Sequence, residues 1–318
     1  MAAQNHLFGL EIIIPTYKRI DKLTKLLQLL CCFQNSKEIL ISVYNNDPEV
    51  DLSRLIAPRA NIRVYNNGMN LGASLNIVRG LSNCIASHAW ILGDDDIPTE
   101  SSLLTILNDI SSLPKASIKY SSRFWKSKED GFLTLDRTLA YMQDEEGFFS
   151  NFLFISTWVF YLPSCMMHLP AIAELSFSKC PQLHLALLLL ADSSTESCQM
   201  TNIYVSSYEC LSFASPGTWN GPLIHGRILT SAFLLADYHQ AFNHQRLYRS
   251  FLVGIGLSRI TARLHLSAQC HFNPLYAIAP FMLWFHCIFS PSYKLFSLTR
   301  SRLLSAARKL TISPRFDS

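Results

Sequence analysis

The sequence predicts an α/β fold in which a mostly parallel sheet is flanked by helices. In the first 115 residues, short β-branched runs alternate with segments whose leucines and isoleucines recur at helical spacing. Polar, turn-forming residues follow these runs. Strands that alternate with helices pair in parallel through right-handed crossovers, and such sheets bind ligands outside the carboxyl ends of their strands. We therefore expect a ligand site where the polar loops converge.

Each element of this half is predicted from its own local pattern. Pro15 ends the first strand, and Asp21 near the start of the following helix suits the positive end of the helix dipole. The turn-forming run from Asn45 to Pro48 closes the second strand. In order, we predict strands at 10–14, 39–44, 62–65 and 89–92, and helices at 20–30 and 75–85. Beyond residue 115 the pattern is less regular, apart from a leucine-rich core helix at 183–191.

Three consecutive aspartates, Asp94 to Asp96, follow Gly93 at the end of the fourth predicted strand. Crowded carboxylates repel one another, and a bound cation relieves that repulsion. Mn²⁺ and Mg²⁺ prefer oxygen ligands, and they take phosphate oxygens alongside one or two carboxylates. The run therefore predicts a metal site that binds a pyrophosphate. The alternative is an acidic turn that caps the next helix through Thr99, Glu100 and Ser101.

Length and composition bound the class of protein. The 318 residues are 49% hydrophobic and 16% charged, which excludes a mainly disordered chain and leaves apolar surface for a membrane or a partner. The nine cysteines show no zinc-ligand spacing, so a structural zinc site is not expected. The first nine residues lack the pattern of a secretory signal, and we expect a cytoplasmic protein with reduced thiols. No nucleic-acid partner is expected.

Three segments of the first hundred residues carry a family resemblance. They read Glu-Ile-Ile-Ile-Pro-Thr-Tyr-Lys-Arg at 11–19, Asn-Leu-Gly at 70–72 continuing through Asn76 and Arg79 to Gly80, and Trp-Ile-Leu-Gly-Asp-Asp-Asp at 90–96. In order and spacing they resemble the nucleotide-binding strand, the next characteristic segment and the D-x-D metal motif of family 2 glycosyltransferases, which have the Rossmann-like GT-A fold.

The resemblance implies a role for the matching residues. Residues 15–17 would border the nucleobase, and Arg79 would approach a phosphate or the base. Asp96 would be a metal ligand whether the motif aligns as D-x-D, with Asp94, or as D-D, with Asp95. The implied donor-binding residues are Pro15, Thr16, Tyr17, Arg19, Asn45, Asn70, Arg79, Asp94 and Asp95, and the implied ligands of a Mn²⁺ or Mg²⁺ ion are Asp96 and Asp94.

Asn45 marks a departure from the family pattern. Family members often end the second strand with an aspartate that contacts the base, whereas this chain has Asn45 there. An aspartate only accepts hydrogen bonds and so complements the N3–H of uracil, while an asparagine also donates and can meet the edge of cytosine. We predict that Asn45 reads the base, and the identity of that base stays open.

The general base is a second departure. Inverting members commonly place a Glu-Asp pair before a helix of the second half, where this chain has Pro-Gln-Leu-His at 181–184. His184 can accept a proton from an acceptor hydroxyl, although a lone histidine on a leucine-rich helix also suits a core position. Asp192 and Asp144 are the substitutes.

These motifs together predict a metal-dependent glycosyltransferase of bacterial surface polysaccharide synthesis, for O-antigen or capsule. An acceptor hydroxyl would attack the anomeric carbon in a single displacement that inverts configuration, while the metal stabilises the departing nucleoside diphosphate. One alternative is a nucleotidyltransferase, but no G-x-G-x-x-G loop follows the first strand. The other is a degenerate protein that binds sugar or lipid without turnover, which metal-dependent hydrolysis of a nucleotide sugar would exclude.

The balance of basic and acidic residues changes near Pro222. Residues 1–222 carry 16 basic and 21 acidic side chains, whereas 223–318 carry 11 basic and 2 acidic ones. We predict a GT-A domain at 1–222, with a nucleotide-sugar half at 1–115 and an acceptor half at 116–222. A basic, helical region at 223–318 follows it.

The basic region has the features of a membrane-binding tail. Residues 272–289 are apolar and aromatic, and basic residues interleave with leucines and a phenylalanine from 294 to 310. This pattern is typical of a helix that lies beside anionic lipid headgroups, and a pair of ordinary core helices is the alternative. We expect a peripheral protein on the inner face of the cell membrane, with a glycan or a polyprenyl-linked oligosaccharide as acceptor.

Overall fold

The computed structural model describes residues 9–33, 39–123, 125–145, 147–193, 202–213 and 222–254. Within them the strands are β1 (Leu10–Thr16), β2 (Ile39–Asn45), β3 (Ile62–Asn66), β4 (His88–Ile91), β5 (Ile97–Pro98), β6 (Ala116–Ser121), β7 (Gly131–Leu133), β8 (Trp158–Tyr161), β9 (Asn202–Glu209) and β10 (Leu211–Phe213). The α-helices are α1 (Ile20–Cys32), α2 (Gly72–Asn83), α3 (Glu100–Ser112), α4 (Leu135–Asp144), α5 (Phe148–Leu153), α6 (Leu162–Cys165), α7 (Leu169–Glu174), α8 (Pro181–Ser193), α9 (Pro222–Leu235) and α10 (His244–Gly254).

Eight of these strands form one sheet in the order β3-β2-β1-β4-β8-β6-β9-β7, and β5 pairs with β10 separately. β1 pairs in parallel with β2 and β4, β2 with β3, and β6 with β9. β8 lies antiparallel between β4 and β6, so β4 and β6 run in the same direction. The carboxyl ends of β1, β2, β3, β4, β6 and β9 therefore share one side of the sheet, which we call the carboxyl edge. The predicted α/β class with a mostly parallel sheet is confirmed.

The core follows from the apolar patterns that predicted the elements. On one face of β1, Ile12 and Ile14 join a cluster with α1 and α3, where Leu23 and Leu26 of α1 are buried. Burying each such side chain contributes roughly 1.5–3 kcal/mol. On the other face α2 packs against β1. A Cβ atom on Gly80 would lie 2.5 Å from Ile13 Cγ2, so glycine allows this close approach of helix and strand.

The first compact unit of the chain extends to Gly256, past the domain boundary that we predicted at residue 222. Helix α10 packs against α4 and α9. Gln143 Nε2 donates a hydrogen bond to Ser250 Oγ at 2.8 Å, and the rings of Phe149 and Phe251 meet edge to face. The start of the predicted basic region, at 223–254, thus packs within this unit.

The second unit, Leu257–Ser318, lies outside the described residues. It contains both the apolar segment at 272–289 and the basic segment at 294–310 on which the membrane prediction depends. Among the helices of the described part, none combines the length and apolarity that a membrane span requires.

Candidate active site

The three aspartates form a tight turn at the carboxyl edge, directly after β4. We call residues 93–96 the acidic turn. The N–H of Asp96 donates to the Gly93 carbonyl at 3.2 Å, which closes the turn. A Cβ atom on Gly93 would lie 2.6 Å from Asp96 Oδ2, so a larger residue would displace that carboxylate. The capping alternative accounts for Thr99, whose hydroxyl accepts from Ser102 N at the start of α3, but it uses none of the aspartates.

Two basic side chains at the start of α1 lie against the aspartates. Arg19 Nη1 is 3.0 Å from Asp94 Oδ1 and 2.9 Å from Asp95 Oδ2, and Lys22 Nζ is 3.1 Å from the same Asp95 oxygen. Arg19 and Lys22 are about half exposed, so each pair contributes at most about 1 kcal/mol. The turn after β1 and the turn after β4 therefore face each other, as the sequence predicted.

Asp94 is a buried carboxylate of the acidic turn with a raised pKa. Burial raises its pKa, while a hydrogen bond from Thr16 Oγ1 at 2.7 Å and the charge of Arg19 act in the opposite direction. A raised pKa means that the surroundings disfavour the carboxylate form as they stand. An additional cation at the acidic turn would stabilise that form.

Ser156, which sequence reasoning missed, completes the acidic turn. Its hydroxyl donates to Asp96 Oδ2 at 2.5 Å and accepts from the Gly93 N–H at 2.8 Å. Ser156 lies 60 residues further along the chain, just before β8, and none of its surface is exposed. An isolated serine in an irregular segment carries no sequence signal for such a role.

Asn45 is engaged within its own loop. Its Nδ2 donates to Val50 O at 2.6 Å and to Asn66 Oδ1 at 3.1 Å, and its Oδ1 accepts from the N–H of Asp47 at 3.0 Å. Only 2% of the residue is exposed. Because these bonds use both ends of the amide, we correct the sequence-based assignment: Asn45 shapes the loop after β2 and does not present a free edge to a base.

Of the other predicted donor residues, Pro15, Tyr17 and Asn70 lie at the same edge. Asn70 Oδ1 accepts from Asn46 Nδ2 at 2.6 Å and from Gly72 N at 2.8 Å, and so fixes the start of α2. Pro15, near the end of β1, is half-buried. Tyr17, in the loop that follows β1 and faces the acidic turn, is 42% exposed. Arg79 is half-buried in the second half of α2. Their contacts with a donor remain predictions.

A family comparison accounts for this arrangement. The model of glycosyl transferase family 2 matches residues 11–169, which is half of the chain and contains the acidic turn and Ser156. The chain belongs to this family. It is therefore a glycosyltransferase.

Solved structures show the same fold. The structure of Staphylococcus aureus TarS 1-349 matches 89% of this chain over 81% of its own, with 14% identity and a TM-score of 0.59. The same protein in complex with UDP matches 98% of this chain over 94% of its own, with 15% identity and a TM-score of 0.58. Its complex with UDP-GlcNAc gives 12% identity over 88% and 81% of the two chains, with a TM-score of 0.60. No curated protein sequence matches this chain.

His184 lies in the core of the glycosyltransferase, with none of its surface exposed. Its Nε2 is 2.8 Å from Ser231 Oγ on α9, and its Nδ1 is 3.4 Å from Ser178 Oγ. Burial lowers the pKa of the imidazole to about 3. A ring enclosed in this way cannot reach an acceptor hydroxyl, so we correct the sequence-based assignment of His184 as the general base. It is a core residue, as its leucine-rich helix also suggested.

Asp192 is held by two histidines at the end of α8. Its Oδ2 lies 2.9 Å from His168 Nε2, and its Oδ1 lies 3.3 Å from His239 Nε2. β8 runs antiparallel to β4 and ends beside His88, and His168 follows shortly after that end. Asp192 is therefore bound near the amino ends of the parallel strands, at the edge opposite the acidic turn. We correct its assignment as a base too. Asp144, exposed at the end of α4, stays a prediction.

The buried imidazole of His184 should make stability sensitive to acid. Its pKa falls from 6.5 to about 3 on folding, so between these values the unfolded chain binds a proton that the folded protein does not. The contribution of this group to the free energy of unfolding is complete above about pH 6.5. It declines by about 1.4 kcal/mol per pH unit as the pH falls below that value. We expect His184→Gln to flatten the pH dependence of the free energy of unfolding, measured with urea. The partly exposed His244→Gln is the control, and an unchanged slope for His184→Gln would contradict the prediction.

Proposed function

We propose that this glycosyltransferase transfers a sugar from a nucleotide-sugar donor to a glycan or lipid-linked glycan, with a divalent metal ion and inversion of configuration. The acidic turn carries the proposal. It places three carboxylates at the carboxyl edge opposite the β1 loop, where sheets of this kind bind nucleotides. The diphosphate of the donor would lie beside the acidic turn and Arg19, and Tyr17, Asn70 and Arg79 would border the nucleoside.

The described residues contain no group of three His, Cys, Asp or Glu side chains arranged to hold a metal ion, so the acidic turn would supply two carboxylates and the donor phosphates the remaining oxygens. Carboxylate oxygens are the ligands that Mn²⁺ and Mg²⁺ prefer, and Mg²⁺ is usually bound by only one or two protein carboxylates together with phosphate oxygens and water. We assign Asp96 and Asp94 as the ligands. When bound, the metal would stabilise the negative charge of the departing nucleoside diphosphate.

Asp47 replaces Asn45 as our candidate for reading the base. It follows β2 at the carboxyl edge and is 6% exposed. Its Oδ1 accepts from the N–H of Glu49 at 3.1 Å. Asp47 is thus an acceptor that is held in place two residues after Asn45, whose own amide is already bonded. An acceptor complements the N3–H of uracil. We therefore propose a uridine nucleotide as donor. UDP and UDP-GlcNAc are bound in two structures of the similar TarS.

The base assignment predicts a change in nucleotide preference. Asp47→Asn should weaken binding of UDP about tenfold relative to CDP, because the amide removes a charged acceptor worth about 1.5–3 kcal/mol and adds a donor. Inhibition constants of UDP and CDP, measured for both proteins, check this. Asp51→Asn, in the same loop, is the matched control. An unaltered ratio in Asp47→Asn would place the base elsewhere.

Glu209 is our candidate for the general base. It ends β9 at the carboxyl edge, three strands from β4, so the two backbones are about 14 Å apart. A sugar ring and an acceptor hydroxyl fill a gap of that size. The carboxylate is about one third exposed and lies 3.0 Å from Lys126 Nζ. The chain continues to Cys210, whose Sγ lies 3.8 Å from the carbonyl oxygen of Ser156, the residue whose hydroxyl bonds the acidic turn.

The acceptor and the location are proposed from composition. The excess of basic residues after Pro222 suits an anionic membrane surface. We propose that the enzyme acts peripherally at the cytoplasmic leaflet, on a polyprenyl-linked glycan of O-antigen or capsule synthesis. The two aspartates assigned to the metal favour turnover over the alternative of a sugar-binding protein without activity.

A thermal-stability screen tests the proposed donor class. Purified protein would be heated with UDP-, CDP- and GDP-sugars, each with Mn²⁺ and with EDTA. A ligand at 100 times its dissociation constant stabilises by about 2.7 kcal/mol. We expect stabilisation by a UDP-sugar that depends on Mn²⁺. Equal stabilisation with EDTA would contradict the metal site, and no stabilisation by any sugar nucleotide would contradict the donor class.

A further inference from the structure

Ser156 occupies a position that connects the acidic turn to the middle of the sheet. Its hydroxyl makes the two bonds to Asp96 and Gly93 described above. Its carbonyl oxygen accepts from Trp90 Nε1 at 2.8 Å, and Trp90 belongs to β4, the strand that leads into the acidic turn. The serine is thus fixed to both ends of the segment that presents the aspartates.

The turn around Ser156 is itself rigidly supported. Thr157 Oγ1 accepts a hydrogen bond from Lys119 Nζ, and both residues are fully buried. Thr157 Oγ1 also donates to Phe154 O at 2.7 Å. Lys119 lies on β6, so the segment that carries Ser156 is tied to strands on both sides of β8. A hydroxyl held in this way has one orientation available to it.

We propose that Ser156 is a positioning residue for the metal site, which sets the carboxylate of Asp96 in the orientation that a divalent cation requires. The inference rests on the proposed function, and it adds a residue that touches neither donor nor metal. By donating to Oδ2, the hydroxyl prevents rotation of the carboxylate, and by accepting from Gly93 N it holds the backbone of the same turn. Groups that orient metal ligands in this manner typically change metal affinity 10–100-fold when they are removed.

The variant Ser156→Ala tests the inference by direct metal binding. Free Mn²⁺ would be measured by electron paramagnetic resonance during titration of the full-length protein with saturating UDP. We expect Mn²⁺ affinity to fall about tenfold, while UDP binding without metal changes little and the melting temperature falls by no more than in the Ser178→Ala control. Ser156→Cys keeps a side chain with the same number of heavy atoms, although its sulfur is larger and donates only weakly, and it should give an intermediate affinity. Ser178→Ala, at another fully buried serine outside the acidic turn, is the matched control.

Two results would overturn the inference. One is Mn²⁺ affinity of Ser156→Ala within twofold of the wild type. The other is a parallel loss of Mn²⁺ binding, metal-free UDP binding and thermal stability in both Ser156 variants, which would show a purely structural role. A wild-type protein that does not bind Mn²⁺ with UDP would instead contradict the proposed function itself.

Discussion

Replacing Asp96 by asparagine is expected to lower metal-dependent sugar transfer about 10³-fold while the protein stays folded. The metal supplies several kcal/mol of charge stabilisation to the departing diphosphate, and each 1.4 kcal/mol corresponds to a factor of about ten in rate. Asparagine keeps an oxygen that can accept from Ser156, so the acidic turn retains its internal hydrogen bond. Release of the nucleoside diphosphate, measured across a range of Mn²⁺ concentrations, checks the prediction.

The control for this variant is Asp136→Asn. Asp136 is an exposed aspartate in the first turn of α4 that pairs with Arg246 of α10, away from the acidic turn. It should retain wild-type activity. Full activity in Asp96→Asn, or an equal loss in Asp136→Asn, would remove Asp96 from the metal site.

The variant Glu209→Gln should reduce kcat by about 10²–10⁴-fold, the usual contribution of a general base. Glutamine keeps the size and hydrogen-bonding reach of the side chain but cannot take a proton. Binding of the donor should therefore be unchanged, and the acid limb of the pH profile of kcat should disappear. Transfer rates at saturating donor, followed from acid to neutral pH, measure both effects.

Glu145→Gln is a closely matched control. The Glu145 side chain is also about one third exposed, and it also pairs with a lysine of the loop before β7, Lys128, at 3.6 Å. Retention of activity by Glu209→Gln would exclude it as the base. A loss confined to Glu145→Gln would move the assignment to the end of α4.

Local patterns in the sequence were sufficient for the elements of the first half. The predicted strand at 39–44 and helix at 20–30 correspond to β2 and α1 within two residues, because burial and periodicity decide such segments. The antiparallel β8 between β4 and β6 was not predicted. Its four residues join strands distant in sequence, and periodicity over so short a segment carries no information about pairing partners.

The candidate site was predicted where it depends on consecutive residues. The acidic turn and its position after β4 follow from a single run, and the facing β1 loop follows from the parallel order of strands. The roles of Asn45 and His184 were misjudged because both depend on partners elsewhere, Val50 and Asn66 for the first and Ser231 for the second. Whether a polar side chain is free or already bonded is a property of tertiary structure.

The central claim, that the acidic turn binds a metal and a nucleotide-sugar donor for turnover, is tested most directly by release of nucleoside diphosphate. The purified protein would be incubated with UDP-, CDP- and GDP-sugars and a polyprenyl-linked acceptor, first with EDTA and then with excess Mn²⁺. The account predicts release of UDP from a UDP-sugar only after Mn²⁺ is restored, and no such release by Asp96→Asn. Absence of nucleoside diphosphate from every donor at every Mn²⁺ concentration, or equal release in EDTA, would contradict it.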